Sequence, residues 1–133
     1  MYFPELLAPL LRSLLHLTTP ASPTALTQVV ISYKIRSLSK ETAFWSAFGL
    51  WFTFVPVLVR STHFEDNSRR WERFGAGGDG EVFVFVARRR PESFLWTVPE
   101  DDVALLEGVG ARGTQERKSD DTFELLLLMS VDE

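Results

Sequence analysis

The sequence contains no cysteine, which removes disulfides, thiolate metal sites and cysteine nucleophiles together and fits a reducing compartment. An intracellular setting, cytoplasmic or nuclear, is the expectation. Histidine is also scarce. His16 and His63 are the only two, and neither belongs to a carboxylate motif of ligand spacing, so no metal site and no catalytic dyad is expected. An excess of positive charge is missing as well: 14 Lys and Arg stand against 18 Asp and Glu, a formal net charge of −4. Such a surface offers no general field for a polyanion, and nucleic acid is not an expected partner. No internal repeat and no low-complexity tract is visible.

Long hydrophobic runs are nearly absent. Met1 to Glu5 carries no basic leader and passes straight into an apolar helical pattern, so no secretory signal is expected. The longest apolar stretch, Ala43 to Val59, touches the lower limit of about 17 residues for a membrane-spanning helix. Gly49 and Pro56 interrupt it, and its pattern changes from helical before Phe52 to strand-like after it. Two buried elements are expected there, and no membrane span.

What is present describes a folded chain. In 133 residues, 45% hydrophobic and 13% aromatic, there is room for one domain or part of one, and eleven Phe and four Trp require a core. Pro4 to Leu17 places Leu6, Leu7, Leu10, Leu11, Leu14 and Leu15 on one helical stripe. Thr18 to Thr27, with Pro20, Ser22 and Pro23, is a loop, and the β-branched run Gln28 to Ile35 predicts a buried strand. Ser39 is the expected N-cap of a second amphipathic helix carrying Glu41 in its first turn and then Phe44, Trp45, Phe48, Trp51 and Phe52. Thr53 to Val59 is a strand, Arg60 to Gly80 a polar and glycine-rich excursion, and Glu81 to Ala87 a third strand.

Beyond Arg90 the pattern weakens. Pro99 at a first helical position, with Glu100, Asp101 and Asp102, then Leu105, Leu106 and Gly108, predicts a short capped helix. Gly110 to Asp121 is expected to be a mobile loop. Phe123 to Val131 fits either a strand or a helix by periodicity, and a terminal strand is expected.

Each chemically suggestive feature has a plainer reading. Gly75 to Gly80 resembles a phosphate-cradling loop, but it precedes a strand, where a nucleotide loop follows a strand and opens a helix. A hairpin connection is expected instead. Arg69, Arg70, Arg73 and the run Arg88, Arg89, Arg90 suit an acidic partner, but amid so many carboxylates they fit a solvated loop and strand end. Asp101/Asp102 and Asp120/Asp121 need no more than helix-dipole and solvation roles. Ser32 has no nucleophile-elbow pattern around it.

The stretches Tyr2-Phe3-Pro4-Glu5-Leu6-Leu7, Val29 to Arg36 and Val82 to Arg89 together resemble the family-16 seven-stranded, S-adenosylmethionine-dependent methyltransferases, many of which methylate lysine in proteins. The resemblance covers positions 2 to 90. It implies the C-terminal portion of a Rossmann-like class I methyltransferase sheet (helix, strand, helix, strand, antiparallel strand) over residues 1–90, with residues 91–133 as a C-terminal extension packing on it or trailing from it. It further implies that the strand Glu81 to Ala87 lies between the other two and antiparallel to both.

Tyr2 matches the tyrosine of the family's Asp-x-x-Tyr signature, which lines the acceptor pocket, and is the one candidate catalytic-site residue; its plain alternative is a frayed terminus. The aspartate of that signature, the glycine-rich turn and the acidic residue that hold S-adenosylmethionine have no counterpart in the sequence. The resemblance therefore implies a truncated enzyme with no cofactor-binding residues, inactive as an isolated chain, whose full-length relatives act on a lysine side chain of a protein substrate. The alternative is a non-catalytic protein-binding module on the same fold. Under the truncated reading the uncovered Gln28 to Ile35 edge is expected to promote self-association, whereas a monomeric, cooperatively melting chain would favour the binding module.

Overall fold

The computed structural model describes residues 4–19, 27–35, 38–62, 69–73 and 82–131. A 3-10 turn, Pro4–Leu6, leads into helix α1, Leu7–Leu17. Leu11 and Leu15 are buried, Leu7 and Leu14 half-buried, and Leu6, Leu10 and Leu17 face solvent. The buried stripe is thus narrower than the leucine spacing suggests.

Strand β1, Gln28–Lys34, is followed by helix α2, Leu38–Trp51, and β2, Phe52–Pro56. The change of pattern at Phe52 is the change of structure. Ser39 falls inside α2, whose first residue is Leu38, and does not cap it. Far from having one apolar face, α2 is buried almost all round from Phe44 to Trp51, because α1, β2 and the two later helices over Asp102–Leu106 and Thr122–Val131 all contact it.

The strand expected over Thr53 to Val59 is two strands. Pro56 has no N–H to extend the ladder, Val57 N makes a last bond to Val84 O at 2.8 Å, and the chain then leaves as β3, Leu58–Thr62. β3 pairs antiparallel with β4, Arg69–Arg73, within the stretch expected to be a loop. The third strand of the main sheet is β5, Val82–Arg89.

The main sheet has the order β1-β5-β2, with β5 antiparallel to both neighbours, as expected. β1 and β2 are therefore parallel to each other and joined through α2. The fold is a mixed α/β arrangement in which helices cover one face of a small antiparallel sheet. β1 is buried on that face alone, so the buried strand of the sequence reading is half-buried: Val29, Ile31 and Tyr33 point in, while Gln28, Val30, Ser32 and Lys34 point out.

After β5 come a 3-10 turn, Pro91–Leu95, helix α3, Asp102–Leu106, a further 3-10 turn, Ala111–Gly113, and helix α4, Thr122–Val131. Asp101, not a residue ahead of Pro99, caps α3 by accepting from Ala104 N at 3.1 Å, and Pro99 lies outside the helix. Gly108, at φ 79°, ends this helix as expected; a Cβ there would fall on the Lys118 carbonyl. Residues between Gly110 and Asp121 are tied back through Gly110 N to Thr114 O and Lys118 N to Glu107 O.

The terminal strand expected from Phe123 is helix α4. Phe123, Leu126 and Leu127 pack on the core while Glu124, Leu125 and Leu128 face outward, a helical alternation supplied by residues of high helix propensity. Residues 91–133 contribute Leu105, Ala111 and Phe123 to the same hydrophobic cluster as the sheet. At its centre Trp45 packs against Tyr33, Phe44, Phe48, Phe85 and Phe123 with ring centroids 5.0 to 5.4 Å apart. No helix among the described residues is long and apolar enough to cross a membrane.

Candidate functional site

Tyr2, His63, the Gly75 to Gly80 run and Arg36 lie outside the described residues. His16 is exposed on α1. Asp102 pairs with Arg12 at 2.9 Å, and Asp120 Oδ2 accepts from Thr122 N at 3.0 Å at the start of α4. These carboxylates therefore have helix-end and latch roles. Among the described residues no group of three metal-ligating side chains converges.

The arginine run at the end of β5 is not a solvated strand end. Its three members alternate across the sheet and meet different surroundings. Arg88 is exposed on the uncovered face, whereas Arg89 is 9% exposed. Arg89 donates to Ser93 Oγ at 2.6 Å, Leu15 O at 3.1 Å and Ser93 O at 3.2 Å. It also lies over the rings of Trp51 and Phe94 at 5.3 and 5.0 Å. Burial pulls its guanidinium below the ordinary arginine value. Leu15 O belongs to the last turn of α1, where a cation is favoured by the helix dipole. Arg90, half-buried, donates to Gly49 O at 3.0 Å and approaches Asp120 Oδ1 at 3.7 Å. Two of the three arginines are thus clips that tie β5 to α1, α2 and the segment before α4.

At the opposite end of β5, the chain holds a buried carboxylate. Tyr33 Oη donates to Glu41 Oε1 at 2.6 Å, and Glu41 is buried. The contact joins the end of β1 to the first turns of α2. Composition hides this pair, because Glu41 has the spacing of an ordinary first-turn acid.

The feature that sequence reasoning missed is the face of the sheet opposite the helices. Pairing aligns Val30 with Val86 and Val86 with Val55 in one row across all three strands. Val30 is 64% and Val55 60% exposed. The next row holds Ser32, Val84 and Val57, and Val82 stands beside Lys34. Gln28, Arg88 and Thr53 form the other end, where a shallow depression of about 250 Å³ lies between Gln28, Thr53, Phe54, Val55, Val86 and Arg88. Lys34 and Arg88 are the charged residues of this face among the described residues. The signal was legible in β5: Val-Phe-Val-Phe-Val-Ala is apolar on both sides of the pleat, the pattern of a strand buried on both faces.

No family model, no curated protein and no solved structure matches this chain.

Proposed function

We propose that this chain is the substrate-side end of a class I, S-adenosylmethionine-dependent protein-lysine methyltransferase sheet. The observation that carries the reading is strand order: β5 runs antiparallel between β1 and β2, with α2 joining the two outer strands. In the enzymes the sequence resembles, the last strand is inserted in the same way beside the fifth and sixth. Tyr2 would line the acceptor pocket, and β1 would be the neighbour of the strands that hold the cofactor.

The residues described here do not fit the cofactor themselves. β1 ends in Lys34 and reaches α2 without a glycine turn, and β2 continues into β3 with no helix between them. Neither offers the close backbone approach or the acidic ribose partner that an adenosyl group needs. No step of methyl transfer is therefore assigned to this chain. Isothermal titration with S-adenosylmethionine tests the reading: the 133 residues alone give no saturable heat, and the chain joined to the polypeptide encoded in frame upstream binds it. Saturable micromolar binding to the 133 residues alone, or an upstream sequence with no Asp-x-x-Tyr strand, overturns the reading. The second reading, a non-catalytic binding module, is favoured by the uncovered valine face.

A further inference from the structure

We propose that the open valine face of one copy of this chain seats the outer stripe of α4 from a second copy. The inference is independent of the methyltransferase reading. Six valines, Val30, Val55, Val57, Val82, Val84 and Val86, point to a side of the sheet that carries no helix among the described residues. The Val30–Val86–Val55 row spans all three strands, with Val30 and Val55 exposed and the other four valines half-buried, and contiguous apolar patches of this kind mark interaction sites. Among the described residues the charges on the face are both positive, Arg88 at one end and Lys34 at the other, in a chain whose net charge is −4. An occupant should therefore be apolar in the middle and acidic where it meets Arg88.

The chain itself displays such a surface. Along α4 and its N-terminal flank, Asp121, Glu124, Leu125 and Leu128 share one stripe; both acids are exposed, and the leucines are 51% and 63% exposed. Neither acid has an ion-pair partner among the described residues. The spacing also agrees. From Asp121 to Leu125 the helix rises about 6 Å, and from Arg88 to Val86 the strand advances about 7 Å. With Asp121 and Glu124 against Arg88, Leu125 rests on the Val30–Val86–Val55 row and Leu128 reaches towards Val84 and Val57. The helix then points its partially negative carboxyl end towards Lys34.

Phe123 fixes α4 to the covered side of the sheet, packing against Phe85 with ring centroids 6.4 Å apart. The two surfaces therefore lie on opposite sides of the protein, and the contact is head-to-tail, not reciprocal. Such a contact propagates beyond a dimer.

Sedimentation velocity of the full chain over a range of concentrations and salt tests the proposal. The mean mass should climb past that of a dimer, and added salt should lower it. Val55→Glu should abolish association, and Arg88→Glu should weaken it about tenfold, as should Asp121→Lys with Glu124→Lys. All these positions are exposed, and unchanged circular-dichroism melting confirms that the variants fold. Combining Arg88→Glu with the two lysine substitutions should restore association, a rescue that backbone pairing through the β1 edge cannot give. A chain that stays monomeric, a closed dimer, association that survives Val55→Glu, or absence of rescue overturns the proposal.

Discussion

Arg89 donates through Nε to Ser93 Oγ at 2.6 Å in the interior of the protein, so the residue that ends β5 also anchors the turn that follows it. The same guanidinium reaches Leu15 O and Thr18 Oγ1, and one side chain thereby closes the carboxyl end of α1 against Pro91–Leu95. Replacing Arg89 with Ala removes its buried hydrogen bonds to Ser93 and Leu15 and its packing on Trp51 and Phe94 and should cost about 3 kcal/mol. Lys should recover less than half of this, because an ammonium cannot reproduce the planar fork between Trp51 and Phe94. Urea unfolding midpoints at constant slope measure both.

Gly49 is required by what lies over it. A Cβ at this position would fall on the Asp120 carboxylate, which also accepts from Thr122 N and faces Arg90. Gly49→Ala should destabilise the fold by about 2 kcal/mol despite the better helix propensity of alanine. Asp120→Ala should cost about 1 kcal/mol alone, and in its background the Gly49→Ala penalty should shrink. Equal penalties in the two backgrounds would show that Asp120 is not the obstacle.

Phe123 makes α4 part of the core. Its ring stacks on Trp45 at 5.2 Å and meets Tyr33 edge-on at 5.7 Å. Phe123→Ala should therefore lower stability by about 3 to 5 kcal/mol, with near-ultraviolet circular dichroism showing the loss of aromatic packing. A cost below 1 kcal/mol would indicate that residues after Arg90 are peripheral.

Tyr33→Phe keeps the ring in the aromatic cluster but removes the hydroxyl that donates to the buried Glu41 at 2.6 Å. A cost of about 1 to 3 kcal/mol is expected in thermal or urea unfolding. A neutral result would mean that other partners of Glu41 satisfy its carboxylate without the tyrosine.

Much of the architecture was legible locally. Runs of β-branched and aromatic residues located β1 and β5, the change of period at Phe52 separated α2 from β2, and Gly108 marked the end of α3. The strand order followed from the resemblance and agrees with the observed β1-β5-β2 sheet. These features depend on backbone preferences and on side-chain spacing over a few residues, which a sequence carries directly.

Tertiary contacts decided the rest. Phe123 to Val131 is apolar enough for either state, and becomes α4 because Phe123, Leu126 and Leu127 meet the core at helical spacing. Arg88, Arg89 and Arg90 are identical in sequence; their positions on the pleat and the groups already waiting at Leu15, Ser93 and Gly49 make one exposed and two enclosed. β5 offers an apolar side to each face of the sheet, and only the docking of the helices on one of them leaves Val30 and Val55 in solvent with Val86 half-buried between them. Local sequence determines what a segment can bury. Which side is buried depends on partners distant in the chain, because the free energy of burial belongs to the contact and not to either segment alone.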